Sequence, residues 1–320
     1  MTELSGMKRL DQRPIPSSQN EIRAMMAVRN EIIRLPAVLR HHRQLGIDRF
    51  FIADNQSTDG TVEFLAAQPD VHVFSAEGSF AESRYGLTWL NEALDLFGAG
   101  HWCLVIDADE NFIYPSYETI KLPAFCQFLD RVGEQAVFSV VLDMYANKAL
   151  NDVRLDEGEA LLDTCRYFDG PPYRLFQVRD FPHMQVYGGV RDRVFHDWED
   201  RGYHSPTMST VPLVKWQRGM EYTLGRHALT PVTLSKVYGA ILHFKFLSDF
   251  ADRADIEAAR GEHFAGAREY RVYQEYLAQN RSPNFFGKES VKFENSRQLV
   301  SMGLMRTSPE YEAFIASAAG

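Results

Sequence analysis

The sequence predicts an α/β protein with a mostly parallel central sheet flanked by helices, irregular loops past its middle and a helical cover at its C-terminal end. Three observations carry this. From Ile22 onward, short apolar runs suited to buried strands alternate with runs of helical period. The connections are short, as parallel strands joined by crossover helices require. The 320 residues are 45% apolar and 24% charged, an ordinary globular balance with chain enough for a sizeable core.

Each element follows in order. Residues 1–20 are polar, lack the apolar core of a secretion signal and read as a flexible tail. Residues 21–247 read as the main domain. Ile22 to Val28 is the first strand. Arg29-Asn30-Glu31 then enters a helix with Leu35, Val38, Leu39 and Leu45 on one face, Pro36 in its first turn and Gly46 as C-cap. Phe50 to Ala53 is a second strand ending at Asp54. The turn-rich loop Asn55 to Gly60 supplies N-cap candidates for a helix reaching Gln68. Val71 to Phe74 is the third strand. Leu87, Leu90, Leu94 and Phe97 mark an amphipathic helix closed by Gly98 and Gly100. Trp102 to Ile106 is the fourth strand. A helix over Leu122 to Val132 and a strand over Ala136 to Leu142 follow, ending in Asp143.

From there to about Lys215, aromatics, glycines and prolines are dense, the composition of site-building loops. Ile241 to Phe246 is a strand-like run with His243 and Lys245 on one face. Residues 248–320 read as a helical extension packed on the same domain.

Net charge −9 argues against a general nucleic-acid or anionic-membrane binder. Cys103, Cys126 and Cys165 are too few and too widely spaced for a disulfide framework or metal cluster, so a cytoplasmic home is expected. No apolar run approaches the roughly 20 residues of a membrane span.

The fourth strand ends in Asp107-Ala108-Asp109-Glu110, three carboxylates within four positions. On extended backbone Asp107 and Asp109 point the same way, into one site. Such charge at the mouth of a core strand calls for a cation, and Mn²⁺ or Mg²⁺ takes oxygen ligands shared with substrate phosphates. A solvated acidic turn is the bland alternative. Parallel sheets bind ligands beyond the carboxyl ends of their strands, where Asn30, Asp54, Arg84 and Asp107 all fall.

These segments resemble a family 2-type glycosyltransferase with the GT-A nucleotide-sugar fold. The likeness rests on Arg29-Asn30-Glu31, the Asp54 to Thr61 loop, Arg84 and Asp107-Ala108-Asp109-Glu110, in that order and spacing. The later runs GGVRDRVF, PLVKW and LHFKF resemble a bacterial subgroup that is also similar to family 92 transferases. Two departures stand out: the family's Asp-Asp-Gly-Ser reads Asp54-Asn55-Gln56-Ser57, and its Arg-Asn reads Arg84-Tyr85.

The resemblance implies a transferase moving a sugar, with inversion, from a nucleotide-sugar donor such as a UDP-sugar to a carbohydrate or glycolipid acceptor. Asn30, Glu31, Asp54, Arg84, Asp107, Gly188 and Gly189 would line the donor, with Asp54 on the nucleobase imide. Asp107, Asp109 and His243 would hold the metal. Asp192, after a glycine pair, would be the general base, with Asp143 the alternative and Glu157 and Asp169 less well placed. Against these stand a turn-capping Asp54, a surface Arg84, a core His243 and an ordinary glycine turn. An Asp-dependent phosphatase would need Thr or Val where Asn111 stands, and near the chain start. A non-catalytic nucleotide- or glycan-binding assembly protein is the other alternative.

Overall fold

The computed structural model describes residues 6–16, 18, 20–177, 184–199 and 205–318. The strands are β1 (Met7–Arg9), β2 (Ile22–Val28), β3 (Arg49–Asp54), β4 (Val71–Ala76), β5 (Trp102–Val105), β6 (Glu110–Ile113), β7 (Ala136–Asp143), β8 (Tyr167–Asp169), β9 (Arg174–Gln177), β10 (Met184–Tyr187), β11 (Ser209–Lys215), β12 (Tyr222–Leu224), β13 (Ala228–Leu229), β14 (Gly239–His243) and β15 (Ser290–Lys292). The helices are α1 (Leu35–Leu45), α2 (Thr61–Ala66), α3 (Leu87–Ala93), α4 (Leu122–Val132), α5 (Leu161–Thr164), α6 (Gly189–Glu199), α7 (Phe250–Arg260), α8 (Phe264–Gln279), α9 (Ser296–Ser301) and α10 (Pro309–Ala318).

Among the described residues, nine strands form the central sheet, ordered β1-β4-β3-β2-β5-β11-β7-β14-β6. Six of them, β2, β3, β4, β5, β7 and β14, run one way, and β1, β6 and β11 run the other. The fold is therefore the expected mostly parallel sheet flanked by helices. Alternation along each strand feeds two layers: Ala24 and Met26 face α1 and α4, while Met25 faces the side of α3. Gly46 closes α1 as expected, at φ 110°, with Pro123 packed where a Cβ would stand.

Register decides what meets at the carboxyl ends. Val28 lies beside Asp54 in the parallel β2/β3 pair. His243, at the end of β14, lies beside Asp143 of β7 and opposite Glu110 of β6. The late histidine thereby joins the acidic run, although more than a hundred residues separate them in sequence.

Three expectations are corrected. The N-terminal segment is no loose tail over its described part, because β1 pairs antiparallel with β4. Beyond it, Asp11 accepts from the Val73 amide (3.1 Å) and the Arg9 guanidinium (2.7 Å) and meets His72 Nδ1 at 3.1 Å. The acidic run does not continue β5 as extended backbone. The chain turns at Ala108 and Asp109 and immediately re-enters the sheet as β6. The C-terminal region is more than helical cover, since β15 pairs with β8. No helix among the described residues is long and apolar enough to cross a membrane. All three cysteines are free and buried.

Asp11 gives a pH prediction. Burial opposes its charge, yet Arg9 and His72 hold its carboxyl well below the ordinary carboxylate range. A depressed carboxyl stabilises the fold above its unfolded pKa, about 3.9, and that contribution is lost as pH falls through the folded value. Asp11→Asn should therefore lower the urea midpoint at pH 7, with the gap to wild type closing below about pH 3. An equal gap at both pH values would refute this role.

Candidate functional site

The loops after β2 and β3 interlock. Asn30, at φ 53°, accepts the Thr58 amide on Oδ1 (2.8 Å) and donates its own amide to Ser57 Oγ (2.8 Å). Asp59 accepts the Ile32 amide (3.1 Å), Thr61 Oγ1 accepts the Glu31 amide (3.0 Å), and Arg29 donates to the Asn55 carbonyl (2.7 Å). The turn-rich composition read as loop chemistry is thus a clasp between two strand ends, and Asn30 works as part of that clasp.

Two carboxylates in this clasp are incompletely matched. Asp54 is buried, and its Oδ2 accepts the Ser57 amide (3.0 Å) while Oδ1 has no hydrogen-bond partner. Glu31 is buried with Oε1 on Arg253 (2.5 Å), while Oε2 has no hydrogen-bond partner and stands 3.9 Å from Arg34 Nη1. Burial pushes the Glu31 carboxyl up to about 7 against the pull of Arg253.

The acidic turn splits its charges. Because Asp107 to Asp109 is a turn and not extended backbone, the two aspartates do not share one direction. Asp107 pairs with Arg226 Nη2 (2.5 Å) and stays half exposed. Glu110 holds the same guanidinium through both oxygens (2.7 and 2.8 Å) and accepts the Asp107 amide, which closes the turn. Asp109 is buried, with Oδ2 3.4 Å from His243 Nε2 and 3.9 Å from Arg253 Nη1. The carboxylates have no cation beside them in sequence and find theirs far along the chain, in Arg226, His243 and Arg253. Arg226 sits between Gly225 and His227 in the middle of the β12/β13 turn, where the sequence offers no signal for it.

His243 is flanked on both ring nitrogens. Nδ1 meets Asp143 Oδ1 at 2.6 Å, and Nε2 faces Asp109. Burial opposes its charge, but the two carboxylates push it up to about 9. Asp143 in turn takes a two-pronged bond from buried Arg191 (2.7 and 3.0 Å). It is enclosed and held well below the ordinary carboxylate range, so it cannot serve as the general base; that alternative is corrected.

GGVRDRVF opens α6, which begins at its second glycine, Gly189. The pairing explains why its arginines leave Asp192 alone: Arg191 goes to Asp143 and Arg193 to Asp169 (2.8 and 2.9 Å). Asp192, a third exposed, instead contacts Arg174 (2.9 Å) and Ser205 Oγ (3.2 Å). Asp169 is buried against Arg193 and Tyr145. Gly188 and Gly189 make room for Tyr173, whose ring lies 2.7 Å from where a Gly188 Cβ would stand. The space beside this glycine pair is taken by Tyr173. Arg84 does not join the acidic turn; half exposed, it pairs with Glu221 (2.6 Å) and the Thr223 carbonyl (3.1 Å).

Does this set fit a hard divalent ion? Asp107 does not, being directed at Arg226. Asp109 and His243 offer one oxygen and one nitrogen 3.4 Å apart, with Asp143 on Nδ1, and Nε2 would take an ion only on giving up the proton that the two carboxylates hold on the ring. No group of three or more His, Cys, Asp or Glu converges among the described residues, so most of the ion's ligands would be water and phosphate. Two clefts, one beside Tyr173, Leu175 and Leu304 and one beside Tyr117, Arg166 and Phe293, lie away from this cluster.

No protein-family model and no curated protein matches the chain. Among solved structures it is similar to S. aureus TarS 1–349, at 13% identity over 80% of this chain and 70% of that one, with TM-score 0.32. A structure of S. aureus TarS aligns at 12% identity over 80% of this chain, which spans 43% of that one, with TM-score 0.32. A UTP-bound UGPase from Acinetobacter baumannii aligns at 7% identity over 82% and 84%, with TM-score 0.29. At such scores none of these likenesses carries an argument about activity.

Proposed function

We propose that this chain is a metal-dependent glycosyltransferase that moves a sugar, with inversion, from a nucleotide-sugar donor, a UDP-sugar first among candidates, to a carbohydrate or glycolipid acceptor. One observation carries the reading. At the carboxyl ends of β2 and β3 and the adjoining acidic turn, buried polar atoms stand without hydrogen-bond partners: Asp54 Oδ1, Glu31 Oε2 and Arg253 Nη1, the last two with only an opposite charge at 3.9 Å. Burying unmatched polar atoms is costly, and a cluster of them beside an Asp109–His243 pair suits a polar, phosphate-bearing ligand.

Asp54 Oδ1 accepts from a nucleobase N–H, completing a bond the fold leaves open. Asp109 and His243 hold Mn²⁺ or Mg²⁺, which offsets charge on the diphosphate leaving group when bound. Asp107, half exposed and braced by Arg226, faces the donor from the other side of the turn. Asp192 takes the acceptor hydroxyl's proton, since it alone of Asp143, Asp169 and Asp192 is both accessible and free of a buried two-pronged arginine. Glu157 is exposed in a loop with nothing to aim it. Asp192→Asn should leave donor binding unchanged by calorimetry and lower turnover by on the order of 10²-fold or more. Turnover within a few-fold of wild type would remove Asp192 from the mechanism.

The reading itself is tested by incubating the chain with a panel of nucleotide sugars and Mn²⁺ and measuring released nucleoside diphosphate. Binding without turnover on any acceptor would favour the non-catalytic assembly protein. Release of inorganic phosphate from a phosphomonoester would favour the phosphatase.

A further inference from the structure

We infer that Arg253 is a diphosphate-binding residue, carried into the site by a helix of the C-terminal region and aimed by Glu31. The inference rests on the donor reading above. The observation is an asymmetry in one guanidinium. Nη2 is fixed to Glu31 Oε1 at 2.5 Å, while the buried Nη1 has no hydrogen-bond partner and stands 3.9 Å from Asp109 Oδ2. That last distance is too long for a hydrogen bond. Arginine presents a rigid planar fork suited to phosphate oxygens, and here one prong is anchored and the other presented. Anchoring removes much of the rotamer freedom that a long side chain would otherwise lose on binding.

The surroundings point the same way. Glu31 belongs to the clasp between β2 and β3, so Arg253 is registered to the strand ends that also place Asp54. Two helical turns along α7, Arg260 reaches toward Asn55 Oδ1 (3.5 Å) while paired with Glu257 and Glu262, so this face of α7 lies over the same crevice. At the start of α7, Asp249 accepts both prongs of buried Arg34 (2.8 and 2.6 Å), which pins the helix to α1. In a crevice holding Glu31, Asp54 and Asp109, Arg253 is the cation with an unmatched buried donor among the described residues. An incoming diphosphate completes Nη1, and Glu31 remains on Nη2 to hold the fork in place.

The test is calorimetry with UDP, GDP, ADP, CDP and dTDP, and with the matching nucleosides, on the whole chain in the presence of Mg²⁺. The variants are Arg253→Ala and Arg253→Lys, with circular dichroism to verify folding. For the diphosphate that the unaltered chain binds, Arg253→Ala should weaken affinity at least about tenfold, or 1.4 kcal/mol. Nucleoside affinity should stay within about twofold, because the base contact is elsewhere. Arg253→Lys keeps the charge without the fork and should recover only part of the loss, and it decides the matter if the alanine variant unfolds. Unchanged diphosphate affinity, or an equal loss for nucleoside and diphosphate, would overturn the role of Arg253 and leave the donor reading standing. No binding of any of the five diphosphates to the unaltered chain would overturn both.

Discussion

Asp109→Asn is expected to lower glycosyl transfer by on the order of 10²- to 10³-fold, the scale of losing one preorganised electrostatic group at a site of developing charge. The substitution keeps the shape of the side chain and removes its charge. His243 retains Asp143 on its other nitrogen, so circular dichroism should be unchanged. A Mn²⁺ titration in the presence of UDP should show weakened metal binding. His243→Ala should raise the metal concentration giving half activity, because it removes the nitrogen that faces Asp109. EDTA should abolish turnover and added Mn²⁺ restore it. Full activity in EDTA would end the metal assignment, and Asp109→Asn turnover near wild type would end the role of Asp109. If His243→Ala keeps its metal response and only melts lower, the histidine is a core residue.

The sheet was legible because its signals are local. Runs such as Phe50 to Ala53 and Ala136 to Leu142 need only their own composition to read as buried strands, and Gly46 needs only its place after Leu45 to read as a cap. The strands that escaped are those whose place depends on partners. Met7 to Arg9 is polar at two of three positions and becomes a strand because β4 offers an open edge. Glu110 to Ile113 becomes one because β14 does.

The site divides the same way. Asp54 and the acidic run were read from their positions at strand ends, and the role of His243 from the resemblance alone. The arginines that meet this acidic region were not, because Arg226 and Arg253 lie more than a hundred residues after the carboxylates they meet, Arg226 in a stretch assigned to no element and Arg253 in the segment read as helical cover. Nothing in a sequence separates a surface arginine from one whose partner arrives through the fold. Asp107 was misread for a related reason. The two-residue alternation that aims it beside Asp109 holds on extended backbone and fails in a turn.

Asp143→Ala is expected to cost about 3–5 kcal/mol of stability, the range for removing one partner of a buried ion pair. Asp143 accepts both prongs of the Arg191 fork and also meets His243, so its loss leaves buried Arg191 without its carboxylate and His243 with Asp109 alone. Urea unfolding at pH 7 reads this directly as a lower midpoint with an unchanged slope. The neighbouring position supplies the control. Asp192 holds its arginine at the surface, and Asp192→Ala should cost no more than about 1 kcal/mol, as exposed pairs do. The two substitutions thus separate the two faces of one helical turn: Arg191 ties α6 into the core, and Asp192 meets Arg174 and Ser205 at the surface. A second comparison tests the pairing itself. With Arg191 replaced by methionine, removing Asp143 should cost less than it does in wild type, because the uncompensated guanidinium is gone; the difference is the coupling energy of a double-mutant cycle. Equal costs in both backgrounds, or a loss below about 1 kcal/mol for Asp143→Ala alone, would mean that the buried pair does not hold α6 against β7.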